Sequence, residues 1–476
     1  MSNSSSPFKS YDIRGLVGSE IDVKFAEKLG GALERVIAPK TCLVGFDMRM
    51  SSPDLAKALI GALRKRGVDC IDIGLCTTPV FYHAVASRSE VDLGVMITAS
   101  HNPSTYNGFK LCRKNAVPIG FGSGMEEIRD AFLSEEQKSD SNTEARYERV
   151  DSAIEEYLNA VLTRLPDEGV SLRSAKPASL KIVIDAGNGM AGASLPALCE
   201  RLPALEVIPL YWELDGTFPN HEANPLRTDT LADLQKRVVQ EGATVGFAFD
   251  GDGDRIGVVD EQGEIVPGDI LTGLLAQELL PSHPGARVFY DLRCSWSTPE
   301  MIAEAGGVPE MCRVGHAHIK KQMREASALF AGELAMHFYF APFANCEASE
   351  YAMLLLLQLL QRTGKPLSQI WKPFHRYAHS GERNYKVTEA AADVLQRVRS
   401  TYESKASKVT TIDGLRYEFR DPANPTQDWW FSVRSSNTEP LIRLNLEARS
   451  ADVMQAKLKE VEYAIIGANG TAPSTH

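Results

Sequence analysis

The chain has 476 residues with 43% hydrophobic and 24% charged side chains, and 51 Lys and Arg against 62 Asp and Glu leave a formal charge of −11. That apolar fraction excludes a disordered chain, and 36 Gly with 25 Pro are too few for a collagen-like or low-complexity one. The acidic excess argues against nucleic acid or an anionic membrane as the main partner, because both reward a basic surface.

At roughly 150 residues per domain the length fits two to four domains. Short β-branched runs alternate with amphipathic helical stretches over the first three quarters of the chain, the mark of βα units on mixed or mainly parallel sheets. Residues 41–46 (TCLVGF) read as a strand, 53–66 as a helix with Leu55, Ala58, Leu59 and Ala62 on one face, and 70–73 and 93–98 as further strands. The charge-dense stretch 134–149 reads as surface helix ends and a linker. A second unit begins near 180, where LKIVID runs into AGNGMAG, and closes with the strand 243–249. A third spans a helix at 270–280, a strand at 287–290 and the segment 329–340. From about 372 several strand-like runs, with helical stretches at 389–404 and 451–466, read as a separate α+β domain. The expected organisation is therefore α/β, with domains at 1–147, 148–257, 258–371 and 372–476.

The runs 270–280 and 351–360 are interrupted by Gln and fall short of the roughly 20 residues of a membrane span. The N-terminus MSNSSSPFKSYDIRG lacks the apolar stretch of a signal peptide, so no membrane partner and a cytoplasmic location are expected. Eight Cys without a CxxC pair fit reduced, buried thiols rather than zinc ligands or disulfides.

Four loops carry chemistry. Asp250, Asp252 and Asp254 alternate with glycines directly after an apolar strand, and three carboxylates on so small a loop suit a hard cation such as Mg²⁺. An EF-hand is the competing reading, since Glu261 falls at its twelfth position, but Arg255 stands where that loop needs Gly and a strand follows. A plain solvated acidic turn would leave three acids repelling one another. The second loop is TASHNP at 98–103, followed by NGFK to Lys110, where Ser100 has His101 as a neighbouring base. Taken alone, Ser-His-Asn-Pro is equally good turn chemistry. The third, Arg434-Ser-Ser436-Asn437-Thr438-Glu-Pro, offers a guanidinium, hydroxyls and an amide for a phosphate, or is a Pro-ended turn with an exposed Arg. The fourth pairs Glu333 with His337, with Gly315-His316 and Lys320 upstream, and reads as a group for sugar hydroxyls or as a structural ion pair. Gly187-Asn-Gly189-Met-Ala-Gly192 matches a dinucleotide fingerprint with Glu213 at ribose distance, yet Asp185 would oppose a pyrophosphate, so the glycines read as a tight strand-to-helix connection.

With YDIRG at 11–15 and VGHAHIKKQMRE from 314, these loops in this order resemble the α-D-phosphohexomutase superfamily, most closely its bacterial phosphomannomutase/phosphoglucomutase branch. The resemblance implies four domains around a central cleft, three of them related α/β units and the last smaller and mobile. It implies a phosphoserine at Ser100 and one Mg²⁺ held by Asp250, Asp252, Asp254 and a phosphate oxygen on Ser100. Arg14 and Arg255 would neutralise charge, His101 and Lys110 would move protons, and His316, Glu333, His337, Arg434, Ser436, Asn437 and Thr438 would bind substrate. The implied activity is interconversion of the 1- and 6-phosphates of mannose, glucose or both through a hexose 1,6-bisphosphate, by a monomer acting on small-molecule sugar phosphates. Arg14, Lys110, Arg255, Lys320 and Arg434 would then form a positive pocket inside an acidic protein.

The sugar loop departs from the family pattern. Relatives usually read Gly-Glu-x-Ser-Gly-His, whereas this chain has Ala335 and Met336 in place of Ser-Gly. A hydroxyl is lost and a bulky side chain gained, so an altered or broadened sugar preference, a glucosamine-phosphate substrate or a weakly active paralogue are the alternatives.

Overall fold

The computed structural model describes residues 7–134, 145–166, 172, 180–387, 389–435 and 441–466. Four sheets organise the chain. The first has seven strands in the order Ile13–Leu16, Tyr106–Arg113, Leu93–Ile97, Thr41–Phe46, Asp69–Leu75, Tyr147–Arg149, with Val117–Pro118 added beside Tyr106–Arg113. Its inner strands Thr41–Phe46, Asp69–Leu75 and Leu93–Ile97 are parallel, and Tyr106–Arg113 returns antiparallel. Parallel neighbours require a crossover, and the helices Ser52–Arg64 and Thr78–Ser87 supply two. The second begins where Thr77 caps it, its hydroxyl accepting the Val80 N–H at 3.2 Å.

The second and third sheets repeat this plan. In the second, Leu180–Asp185, Leu205–Leu210 and Val245–Phe249 are parallel and Ile256–Asp260 returns antiparallel. In the third, Arg287–Asp291, Val308–Cys312 and Phe330–Gly332 are parallel and Phe338–Phe340 returns antiparallel. In each unit the strand order is second, first, third, fourth. Two details differ from the sequence reading. Tyr147–Arg149, at the end of the stretch read as linker, is an edge strand paired with Asp69–Leu75, and the second sheet continues through Val266, beyond the boundary expected after 257.

One continuous apolar core joins the three units, running from Leu43 through Phe247 to Trp371. Its central helix, Ser349–Thr363, is buried almost all round, so its Leu-rich sequence lacks the polar face of a surface helix. Each fully buried Leu there stabilises the packing by about 1.5–3 kcal/mol. No helix among the described residues is long and apolar enough to cross a membrane.

The last unit is different. Its six strands are antiparallel, in the order Ala378–His379, Leu441–Ala448, Trp429–Ser435, Leu415–Phe419, Lys408–Thr410, with Arg383–Lys386 also on Leu441–Ala448. Helices Ala391–Tyr402 and Ala451–Ile466 cover a core of its own. It meets the third unit through a buried cluster of Trp296, Tyr377 and Trp430. Glu447 accepts from the Trp296 backbone N–H and the Trp430 indole, Glu418 from the Trp296 indole, and the Arg416 guanidinium lies 3.5 Å from the Trp430 ring centroid.

Candidate active site

The repeated topology decides where the chemistry sits. In each α/β unit the connection from the third, parallel strand to the fourth, antiparallel one carries a loop singled out in the sequence: 98–105, 250–255 and 333–337. Strand carboxyl ends point these loops into a common crevice. Ser100 stands in its loop at φ 50°, a left-handed conformation that a non-glycine residue adopts only when its surroundings impose it. The Thr98 hydroxyl accepts its N–H at 2.9 Å, and its own hydroxyl donates to Asp250 Oδ2 at 2.7 Å, with His101 Nδ1 at 3.2 Å. Burial, with Arg255 and Arg14 nearby, holds His101 well below the usual range, so its ring is neutral.

Asp250, Asp252 and Asp254 are buried, and one carboxylate oxygen from each lies within 4.8 Å of the others. Burial, then the charges of Asp254 and Asp252, push Asp250 up to about 8. Burial acts the same way on Asp254, but Lys110 and His337 outweigh it and hold that carboxyl well below the usual range. The Lys110 ammonium donates to Asp252 at 2.7 Å and to Asp254 at 2.5 Å. Asp252 also accepts from the Thr78 hydroxyl at 2.7 Å, yet its other oxygen is buried without a hydrogen-bond partner among the described residues. Three converging carboxylates with an orphaned oxygen fit a divalent cation bound through hard donors.

The third unit faces this trio. His337 Nδ1 lies 2.9 Å from Glu333 and its Nε2 3.3 Å from Asp254 and 3.0 Å from the Arg255 Nε–H. Burial and Arg255, whose Nε–H donates to Nε2, favour the neutral ring, while Asp254 and Glu333 pull His337 above the usual range. Glu333 also accepts from the Tyr339 hydroxyl at 2.7 Å and the Gly315 N–H at 3.0 Å, so the Glu-His pair belongs to a fixed network. Arg255 and His337 form a β-bridge that ties the second unit to the third. Arg14 donates to Asp12 and Asn102, His316 packs edge-on against Tyr11 with ring centroids 5.7 Å apart, and Arg434 donates to Glu382 at 3.1 Å. Lys320 does not join the pocket: it is fully buried, 2.6 Å from Glu347 and 3.6 Å from the Tyr82 ring centroid. Ser436, Asn437 and Thr438 lie outside the described residues.

Four domains of one family match the chain in order: phosphoglucomutase/phosphomannomutase α/β/α domains I, II and III at residues 5–139, 155–263 and 267–377, and the C-terminal domain at 382–462. The chain belongs to this family. It is 38% identical over 462 residues to a protein named phosphohexose mutases from Xanthomonas campestris pv. campestris, covering 97% of this chain and 99% of that protein. It is also 38% identical over 461 residues to a phosphomannomutase of Salmonella montevideo, covering 95% and 97%. A family protein from Burkholderia thailandensis with a solved structure superposes with a TM-score of 0.86 at 32% identity, covering 99% of this chain and 100% of that one. The chain is thus a phosphohexomutase, an enzyme that moves a phosphoryl group within its sugar substrate.

The structure sharpens two sequence readings and adds a residue. The glycines at 187–192 serve packing: a Cβ on Gly192 would lie 2.1 Å from the Trp212 carbonyl, and Asp185 holds His221 at 3.0 Å. Met336, the bulky side chain expected to alter or broaden the sugar preference, points into the core. It sits at φ 63° and is 7% exposed, with its Cγ and Sδ against Gly268 and Gly257, where any Cβ would compete for the space. Arg49, in the segment FDMRMSS, drew no attention in the sequence, although an acidic and a basic residue just past a parallel strand are a usable signal. Its guanidinium is buried beneath the Ser100 loop.

Proposed function

We propose that this enzyme interconverts the 1- and 6-phosphates of mannose, glucose or both through phosphorylated Ser100 and a hexose 1,6-bisphosphate. The observation that carries the reading is the 2.7 Å contact between the Ser100 hydroxyl and Asp250, a member of the buried carboxylate trio. Asp250, Asp252 and Asp254, with an oxygen of phosphorylated Ser100, would hold Mg²⁺, which when bound neutralises charge on the transferring phosphoryl group.

In the forward half-reaction the P–O bond to Ser100 breaks and a P–O bond to the free sugar hydroxyl forms, with that hydroxyl's proton passing to the protein. His101, whose Nδ1 lies 3.2 Å from the Ser100 hydroxyl, and Lys110 are the groups suited to take it. Lys110, which donates to Asp252 and Asp254, also balances the charge of the trio. Arg255 has a buried NH1 without a hydrogen-bond partner among the described residues, a donor suited to a phosphoryl oxygen, and Arg14 adds a second positive charge. Glu333, His337 and His316 would face the sugar. Arg434, with Ser436, Asn437 and Thr438, would grip the phosphate that is not reacting. The bisphosphate then turns end for end and returns its other phosphoryl group to Ser100, the proton returning to the sugar oxygen.

Because Met336 points away from the crevice, the sugar loop loses only the hydroxyl at Ala335. This supports an ordinary hexose preference over the glucosamine-phosphate and weak-paralogue readings. Assays with mannose 1-phosphate, glucose 1-phosphate and glucosamine 1-phosphate, with Mg²⁺ and a trace of bisphosphate, test it. Conversion of the first two by the wild type and its loss in Ser100→Ala are expected; free phosphate released without isomerisation would replace the mutase reading with a phosphatase.

A further inference from the structure

The Ser100 loop owes its shape to one side chain outside the motifs. Arg49, 1% exposed, donates through NH2 to the carbonyls of Ser100 at 2.7 Å and Asn102 at 2.6 Å, and through NH1 to those of Pro103 at 2.7 Å and Tyr106 at 2.9 Å. Three carbonyls of one short loop and that of the first residue of the next strand are therefore drawn to one side. The planar trans peptide then sends the His101 N–H away from Arg49, opposite the Ser100 carbonyl. A left-handed Ser100 with its carbonyl turned inward would relax if those acceptors lost their donor. Arg49 is itself fixed. Asp47, wholly buried, lies 3.2 Å from its Nε and accepts from the Ser52 hydroxyl at 2.5 Å. From the second unit, Phe218 places its ring centroid 5.2 Å from the guanidinium, and a Cβ on Gly216 would lie 2.7 Å from the Arg49 Cα. Phe218 also packs beside Gly251, and a Cβ on Gly251 would lie 2.5 Å from the Ser100 carbonyl. The nucleophile loop and the carboxylate loop thus share one support.

We infer that Arg49 is the positioning residue that holds the Ser100 hydroxyl toward Asp250 for phosphoryl transfer, with Asp47 as its buried counter-ion. The inference rests on Ser100 as the phosphoryl carrier. Arg49 touches neither substrate nor the reacting atoms, so its effect falls on the rate of transfer and not on sugar affinity. A lysine cannot reach four carbonyls in two directions, because its ammonium is a single point donor.

The test is a single-turnover measurement with glucose 1,6-bisphosphate and dephosphorylated enzyme, following phosphoryl appearance on Ser100 by intact mass. Arg49→Lys should phosphorylate to full amplitude with a rate constant about a hundredfold lower, the size of a roughly 1 Å misplacement. kcat should fall with it while KM for the hexose phosphate stays within about twofold, as expected when positioning used only in the transition state is lost. Guanidinium ion added to Arg49→Ala should restore part of the rate. If Arg49→Lys does not fold, Asp47→Asn replaces it, with the same loss of rate constant expected. A lowered amplitude with an unchanged rate constant would make Arg49 a merely structural residue and overturn the inference. Wild-type enzyme that turns over without phosphate on Ser100 would instead overturn the carrier reading beneath it.

Discussion

The three α/β units and the last unit meet the crevice on different terms. One apolar core runs through the first three beside smaller clusters of their own, and the loops 98–105, 250–255 and 333–337 hang from equivalent connections of that common frame. The last unit has its own core and reaches the third through aromatic rings and buried charges, Trp296, Tyr377 and Trp430 with Arg416, Glu418 and Glu447. The Ser100 loop and the carboxylate trio thus sit on the part that cannot shift without breaking a core, while Arg434 sits on a unit with a core of its own. The difference would suit the proposed reaction, in which one bisphosphate binds in two orientations.

Breaking the first side of this contrast should cost most. Asp252→Asn removes a carboxylate that balances Lys110 and completes the trio, and kcat should fall about a hundred- to a thousandfold, the scale of losing a preorganised electrostatic group. Steady-state kinetics across a Mg²⁺ series checks this, and a wild-type metal response would contradict it. On the second side, Trp296→Ala should cost about 3–5 kcal/mol at the joint. Calorimetry should show an early transition for the last unit, while Ser100 still accepts a phosphoryl group from bisphosphate.

Acid should loosen the same joint by a smaller amount. Burial works against the Glu382 carboxylate, but Arg293, Arg434 and Arg443 outweigh it and bring it down to about 2. Asn445 also donates to it. A carboxyl lowered on folding stabilises the protein above its unfolded value near 4.5, and that stability is lost as pH falls through about 2. Glu382→Gln should flatten this part of the pH dependence of the last unit's unfolding.

The smallest effect concerns the sugar loop. Met336→Gly should cost about 1–2 kcal/mol, because a core cavity is partly offset by relief of the left-handed backbone. The ratio of kcat/KM for mannose and glucose phosphates should hold within about threefold, and a larger change would put Met336 back in the crevice.

Much of the frame was legible because local pattern and environment agreed. The strands Thr41–Phe46 and Leu441–Ala448 coincide with their apolar runs, DGDGDR announces itself by its chemistry at a strand end, and TASHNP, a plain turn when taken alone, gains meaning from the order of the loops around it. What escaped depends on partners far along the chain. Arg49 binds carbonyls 51 to 57 residues away, Lys320 vanishes into a pair with Glu347, and Glu382 gathers arginines from two units. Met336 shows the reverse limit: its size is plain in the sequence, but its direction depends on Gly257 and Gly268 leaving room.

Transfer of the phosphoryl group between the two ends of the sugar through Ser100 is read most directly by peptide mapping by mass spectrometry of wild-type enzyme, taken during turnover of mannose 1-phosphate. One phosphoryl group on Ser100 is expected, and none in Ser100→Ala, which should be inactive. Phosphate on another residue, or a phosphate-free Ser100 in fully active enzyme, would contradict it.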